Sequence, residues 1–206
     1  MRAIANGIAM NYVLEGSGEP VTLIHALGLD LSMWDPQVPA LQSQFRVLRY
    51  DVRGHGRSEV TPGPYSLALF AEDLSALLQA VGIHATHLIG LSMGGMIAQA
   101  FALDYPDMVR SLVLADTASE YNLEARRLFA QRARTAEERG MEPLVESALE
   151  RWFTPAFRQQ HPEMVQRIAN VLRKTDPRGY AASCRAVAEL DLTERLQEIR
   201  VPALVL

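Results

Sequence analysis

Cysteine is all but missing from the 206 residues: Cys184 stands alone, so no disulfide can close within the chain. A lone cysteine suits a reducing compartment, and its simplest role is that of a small buried hydrophobe. Positive charge is not in excess either. Twenty Lys and Arg face 24 Asp and Glu, for a net charge of −4. That removes the electrostatic case for a nucleic-acid or anionic-membrane partner. No apolar run approaches the roughly 18 residues that a membrane span requires. Met1 to Met10, with one positive side chain and no sustained apolar stretch, lacks the pattern of a signal peptide. Phosphate loops, dinucleotide fingerprints and metal-ligand spacings are missing too, so no cofactor and no metal are expected. Repeats and low-complexity segments are absent. The expectation is a cytoplasmic protein that works on a small molecule, with a homo-oligomer left open.

What is present is an ordinary globular composition, 49% apolar and 21% charged, at a length that suits one domain with an inserted subdomain. Ile8 to Leu14 alternates weakly and meets the turn Glu15-Gly16-Ser17-Gly18-Glu19-Pro20, which predicts an N-terminal antiparallel hairpin or edge strand. Val21 to His25, Arg46 to Asp51, Thr86 to Leu91 and Val109 to Leu114 read as buried strands. Asp35-Pro36 predicts a capped helix to about Gln42. Ser66 predicts a cap for a second helix, with Leu67, Phe70, Leu74, Leu77, Leu78 and Val81 on one face and Gly82 at its end. Strands alternating with helices predict right-handed crossovers and a mostly parallel, doubly wound sheet. Chemistry in such sheets collects beyond the C-terminal strand ends. The loops from His25 to Asp30 and from Arg53 to Ser58, and Ser92, all fall there.

Gly90-Leu91-Ser92-Met93-Gly94 is a G-x-S-x-G motif lying between a predicted strand and a predicted helix. A sharp turn from strand to helix points its serine into open space. It also crowds the residues two before and two after, where glycine avoids the clash of a Cβ. Gly95 then lets the helix lie close to the sheet. At a helix N-terminus, unpaired N–H groups and the helix dipole favour developing negative charge. Ser92 is therefore the candidate nucleophile, against the plainer reading of a glycine-rich helix start.

After Ala115 the pattern changes. From about Tyr121 to Leu190 the chain reads as helical and strand-free, with breaks at Gly140-Met141-Glu142-Pro143, Thr154-Pro155, His161-Pro162 and Asp176-Pro177. The alternating charges from Glu124 to Arg139 fit a solvated helix face. Val201 to Leu206 returns to strand character. The predicted organisation is a core at 1–118, a helical lid at 119–190, and a return to the core at 191–206 whose last strand is incomplete.

Together, His25-Ala26-Leu27-Gly28, the loop from Asp51 to Ser58, the Gly90 to Gly95 turn and the helical insertion resemble the α/β-hydrolase superfamily. Within it, Leu27 to Trp34, Trp152-Phe153-Thr154-Pro155 and Gly179 to Cys184 are most similar to the 3-oxoadipate enol-lactonases. The resemblance implies an α/β-hydrolase fold and a serine hydrolase of a small carboxylate-bearing lactone or ester. In that mechanism Ser92 attacks the carbonyl, a histidine takes its proton, and water hydrolyses the acyl-enzyme. It implies that the backbone N–H groups of Leu27 and Met93 hold the oxyanion. Ala26 stands where the family commonly has glycine. Trp152 and Phe153 either line the pocket or pack the lid. Arg53, Arg57, Arg132, Arg134 and Arg185 are candidates for a substrate carboxylate that the sequence does not rank. Carboxylesterases, cofactor-free perhydrolases and C–C bond hydrolases share the scaffold, and a binding protein without a triad is the remaining alternative. A serine nucleophile departs from the aspartate of haloalkane dehalogenases and the cysteine of dienelactone hydrolases.

The chain order implied is serine, then acid, then histidine. The acid is expected after the strand near Val201 and the histidine one strand later, so neither is expected in this chain. That favours a fragment missing the C-terminal strands and helices over a short form without catalysis. His25 and His55 read as loop-shaping residues, His84 and His87 as preceding the Ser92 strand at its far end, and His161 as a lid residue. Asp116 is the one acid in a plausible position, read first as a loop or capping residue. A fragment would expose its last strand edge and tend to aggregate or dimerise.

Overall fold

The computed structural model describes residues 1–206. It begins with β1 (Arg2–Ala5) and β2 (Ile8–Glu15), an antiparallel pair. Their turn is Asn6-Gly7, with φ of 47° and 76°. Two left-handed residues match the twist of a tight hairpin, and Asn-Gly is the dipeptide that adopts them most readily. The predicted hairpin therefore exists, but one strand earlier than the turn chosen for it. The Glu15 to Pro20 turn closes no hairpin. It leads to β3 (Glu19–Ile24), which lies two positions from β2 because β4 (Phe45–Tyr50) intervenes.

From β4 onward the sheet is parallel. β3 pairs with β4 on one side and with β5 (Thr86–Leu91) on the other. β5 pairs with β6 (Val109–Ala115), and β6 with β7 (Ala203–Val205). The spatial order is β1-β2-β4-β3-β5-β6-β7. This is the mostly parallel sheet that the alternation predicts, with an antiparallel edge.

The helix expected from Asp35 to Gln42 is replaced by two short pieces. A 3₁₀ turn, Leu31–Trp34, is capped by Asp30, and a four-residue helix α1 (Val38–Leu41) follows. Pro36 and Pro39 bring no N–H to a continuous helix. Asp35 is no cap; its carboxylate is held by Arg49 (2.5 Å) and Arg167 (2.6 Å). α2 (Leu67–Ala80) matches its prediction. Ser66 accepts from the Leu69 N–H, and Leu67, Phe70, Leu74, Leu77 and Leu78 are buried. α3 (Met93–Asp104) is buried from Met93 through Leu103, the mark of a central helix packed on every side. Both helices join the sheet in one apolar core.

Five helices form the insertion: α4 (Leu123–Arg139), α5 (Glu142–Trp152), α6 (Pro155–Gln160), α7 (Pro162–Lys174) and α8 (Pro177–Ala188). Asn122, Thr154 and Asp176 cap α4, α6 and α8 with side-chain oxygens, and proline occupies the first turn of α5 to α8. Proline there loses no helical hydrogen bond while stopping the helix before it. The insertion has its own apolar cluster of 13 buried residues. Its two ends meet at a neck, where the Leu192 N–H donates to Ser119 O (2.7 Å) and Glu120 bridges Asp191. The insertion sits tightly on the core. A Cβ on Gly179 of α8 would lie 2.2 Å from the carbonyl oxygen of Gly54, so only two glycines permit this backbone approach. No helix is long and apolar enough to cross a membrane.

Candidate active site

β5 delivers the chain to Ser92, and α3 carries it away. Ser92 adopts φ 53°, ψ −115°, a conformation that costs a residue with a Cβ about 1–3 kcal/mol. Its neighbours hold it there. The Ser92 N–H donates to Ala115 O at 2.9 Å, while Ser92 O accepts from Thr117 Oγ1 at 2.8 Å and from Gly95 N at 2.9 Å. A Cβ on Gly90 would fall 2.3 Å from the Gly94 carbonyl, so the crowding expected across the turn is real. Gly94, not Gly95, lets the helix approach the sheet: its Cβ would lie 2.1 Å from Ile24 O in β3. Gly95 has a different task. A Cβ there would meet the Thr117 side chain at 2.7 Å, displacing the hydroxyl that steadies Ser92. Ser92 Oγ caps nothing and lines a cavity.

Leu27 and Met93, the residues expected to supply backbone donors, line the same cavity. Ala26 to Leu29 is a tight turn, with the Leu29 N–H on Ala26 O at 3.1 Å and Gly28 at φ 80°. A turn of this kind places glycine third and leaves the second residue, Leu27, free to present its N–H. Met93 opens α3, so its N–H is one of the first-turn donors without a partner in the helix. Leu27, Ser92 and Met93 all line the cavity. The insertion secures this turn from above. Thr175 Oγ1 donates to Gly28 O at 2.7 Å, and a Cβ on Gly28 would press on Leu172 and Tyr180.

The cavity encloses about 610 Å³ and has 21 lining residues, 14 of them apolar. Core loops supply Leu29 and Met33; the insertion supplies Phe129, Trp152, Phe153, Met164 and Ile168. Trp152 is 38% exposed. Three arginines also line it, Arg132, Arg151 and Arg167. Only Arg132 was among the arginines expected. Arg53 is instead buried in an ion pair, with Nε on Asp73 at 2.7 Å and Nη2 at 2.5 Å. Arg185 pairs with Glu137 at 2.7 Å on the surface, and Arg57 and Arg134 are exposed and do not line the cavity. Arg151 and Arg167 were missed. The signal was there: Arg151 precedes Trp152 directly, and Arg167 shares a helix face with Met164 and Ile168.

No histidine lines the cavity. His25 is fully buried, accepts from the Val52 N–H at Nε2 (2.9 Å), and contacts Ala26 O through Nδ1 (2.8 Å). It ties the Leu27 turn to the loop after β4. His55 lies beside it, ring centroids 5.2 Å apart, with Nδ1 on Arg53 O at 3.1 Å. Burial lowers the pKa of His25 to about 4. Burial, and then His25, lower that of His55 to about 3. Both are the loop-shaping residues expected. His87 lies within β5 rather than before it and bonds Ser111 at 2.7 Å; His84 is exposed; His161 packs on Phe157. Asp116 caps no helix. It lines the cavity at φ 41°, and its N–H donates to Leu206 O.

The loop from Asp51 to Ser58 is organised by a carboxylate that sequence reasoning did not single out. Asp51 is buried and accepts from Leu31 N, Arg57 N and Asn11 Nδ2, each at 2.8 Å. Burial raises its pKa, and those hydrogen bonds oppose the rise. A Cβ on Gly56 would lie 2.3 Å from that carboxyl group. Cys184 is buried, and burial pushes its thiol up to about 12, which leaves it inert at neutral pH.

A parallel sheet, a strained serine between strand and helix, and an apolar cavity beneath a helical insertion define an α/β hydrolase. The family model described as alpha/beta hydrolase fold matches residues 19–206, and the chain belongs to that family. Within it the chain is similar to 3-oxoadipate enol-lactonase 2 of Acinetobacter baylyi, 36% identical over 204 residues, covering 98% of this chain and 76% of that protein. Among solved structures it is similar to the enol-lactonase from Burkholderia xenovorans LB400, with a TM-score of 0.96 at 37% identity, covering 100% of this chain and 80% of that one. A malate-bound thermophilic esterase from Thermogutta terrifontis gives 0.94 at 32% identity, with 100% and 78% covered.

Proposed function

We propose that the chain is a serine hydrolase for a small carboxylate-bearing lactone or ester, of the 3-oxoadipate enol-lactone type. The observation that carries this reading is Ser92, held at a strained φ of 53° on the wall of an apolar cavity together with Leu27 and Met93. In the reaction, Ser92 Oγ attacks the carbonyl carbon. The N–H groups of Leu27, in the turn after β3, and of Met93, at the start of α3, take the oxyanion, and such preorganised donors are worth several kcal/mol, about 10²–10³ in rate per donor. The alkoxide leaves, and water frees the acid from the acyl-serine. Trp152 forms part of the wall against which the substrate packs, and the insertion acts as the lid.

No histidine of the chain lines the cavity, so its lining supplies no imidazole base. Imidazole is small enough to enter a 610 Å³ cavity and act as one. Hydrolysis of p-nitrophenyl acetate with added imidazole, corrected for imidazole alone, tests the reading. The expected result is turnover that depends on Ser92 and is abolished in Ser92→Ala. Equal rates for the two proteins overturn the nucleophile assignment. The likeness to an esterase supports a second reading, a short-chain carboxylesterase on the same machinery. Faster turnover of a neutral ester than of an enol-lactone would favour it.

A further inference from the structure

Neither His25 nor Thr117 lines the cavity, yet each holds one of the two peptide groups whose N–H would face the oxyanion. A peptide is a rigid plane, with its C=O and its N–H pointing in opposite directions. The Leu27 N–H shares a plane with Ala26 O, and the Met93 N–H shares one with Ser92 O. Whatever grips either carbonyl therefore aims the N–H behind it.

Both carbonyls are gripped by the same combination of donors. Ala26 O accepts from the Leu29 N–H of its own turn at 3.1 Å and lies 2.8 Å from His25 Nδ1. Ser92 O accepts from the Gly95 and Met96 N–H groups of its own helix, at 2.9 and 3.1 Å, and from the Thr117 hydroxyl at 2.8 Å. The backbone donors come with any turn or helix of these kinds. The side-chain donors do not, and the fold makes room for them. A Cβ on Gly95 would lie 2.7 Å from Thr117 Oγ1, so glycine there leaves the hydroxyl its place. His25 is fixed by a second partner. Its Nε2 accepts from the Val52 N–H at 2.9 Å and so carries no proton. Burial keeps the ring neutral, with a pKa of about 4. A neutral imidazole has one N–H, which must then be Nδ1–H, and Ala26 O is its acceptor. A donor on a carbonyl also polarises the peptide, and hydrogen bonds in such chains reinforce one another by about 10–30% each.

We propose that His25 and Thr117 are paired positioning residues, one for each oxyanion donor: His25 aims the Leu27 N–H through Ala26 O, and Thr117 aims the Met93 N–H through Ser92 O. This rests on the hydrolase reading for what the two donors bind, and not for how they are held.

Amide NMR of the full 206-residue chain tests the holding. Thr117→Val keeps the shape and loses the hydroxyl. It is expected to shift the Met93 amide and leave that of Leu27 in place, with Thr117→Ser restoring the original position. His25→Gln retains an acceptor for Val52 but no donor at the Nδ1 position, and is expected to shift the Leu27 amide alone. His25→Asn puts an amide donor where Nδ1 stood and is expected to restore it. Long-range nitrogen–proton spectra of the unsubstituted chain are expected to show His25 protonated at Nδ1 only, which needs no variant to fold. Thr22→Val, which loses a buried hydroxyl 3.0 Å from that of Thr86, is the control and should move neither amide.

Imidazole-supported hydrolysis of p-nitrophenyl acetate then reads the consequence. The carbonyl oxygen gains its charge only in the transition state, so loosened donors lower kcat and leave KM alone. Thr117→Val and His25→Gln are each expected to lose about tenfold in kcat, less than the 10²–10³ for a donor removed outright. The Ser and Asn substitutions should recover most of it. A ring protonated at Nε2 overturns the role of His25, and an unmoved Met93 amide in Thr117→Val overturns that of Thr117. A raised KM at unchanged kcat in both variants overturns the pair. Absence of Ser92-dependent turnover in the unsubstituted chain counts against the hydrolase reading instead, and the amide shifts still decide how the donors are held.

Discussion

Single atoms decide the geometry at Ser92. Gly94→Ala would put a methyl group 2.1 Å from Ile24 O, backbone that cannot swing aside. Gly82→Ala meets nothing within 4 Å and is strained only by its φ of 70°. Urea unfolding should therefore separate the two: about 1 kcal/mol for Gly82→Ala, and about 3 kcal/mol or more for Gly94→Ala. A larger loss at Gly82 would refute the packing account. The same comparison applies to charge. Arg53→Ala leaves Asp73 buried without its partner, a change of about 3–5 kcal/mol. Arg185→Ala breaks an exposed pair with Glu137 and should cost about 0–1 kcal/mol. Equal losses would show that burial does not set the scale. Ser92 is legible in the sequence because glycines bracket it at the spacing that the turn demands. Arg132 is one of five arginines that the sequence leaves unranked, since an arginine facing water and one facing a cavity look alike until the acids around them are placed.

At the scale of elements, strands and the two long core helices are readable because short apolar runs and a capped apolar stripe leave little choice. The failures have local causes. Asn6-Gly7 outweighs the longer Glu15 to Pro20 turn because it supplies two left-handed residues in the space of two. Asp35 loses its predicted capping role to two arginines, Arg49 and Arg167, one of them 132 residues away in sequence. The coupling of the insertion to the Leu27 turn is likewise invisible in one dimension, because it depends on Thr175 meeting Gly28 across 147 residues. Thr175→Val removes the donor and leaves that buried carbonyl short of a partner, a cost of about 1–3 kcal/mol. Hydrogen exchange should then quicken in the Ala26 to Leu29 turn and at the α7–α8 junction, while the buried amides of α3 stay protected. Uniform quickening throughout would mean that Thr175 supports global stability rather than this one attachment.

For the whole molecule, the two buried histidines make stability depend on pH in a definite direction. His25 and His55 are neutral in the fold, with pKa values of about 4 and about 3 against 6.5 when unfolded. Above pH 6.5 neither state binds a proton at these rings, and their contribution is complete. Below it, the unfolded chain takes up protons that the folded chain refuses, so stability falls as pH drops from about 6.5 toward 4. Each histidine contributes a slope approaching about 1.4 kcal/mol per pH unit once its unfolded form is protonated. Asp51 acts the other way. Its raised pKa means that the folded state takes up a proton more readily than the unfolded one, which offsets part of the loss at the acid end. Two histidines against one carboxylate leave a net decline. Trp34 in the core and Trp152 at the cavity report unfolding by fluorescence. Urea midpoints measured from pH 7.5 to pH 5 should fall steadily, with the steepest change below pH 6. A flat profile would mean that these rings are not held neutral, and the tie between the Leu27 turn and the loop after β4 would have to rest on something other than His25.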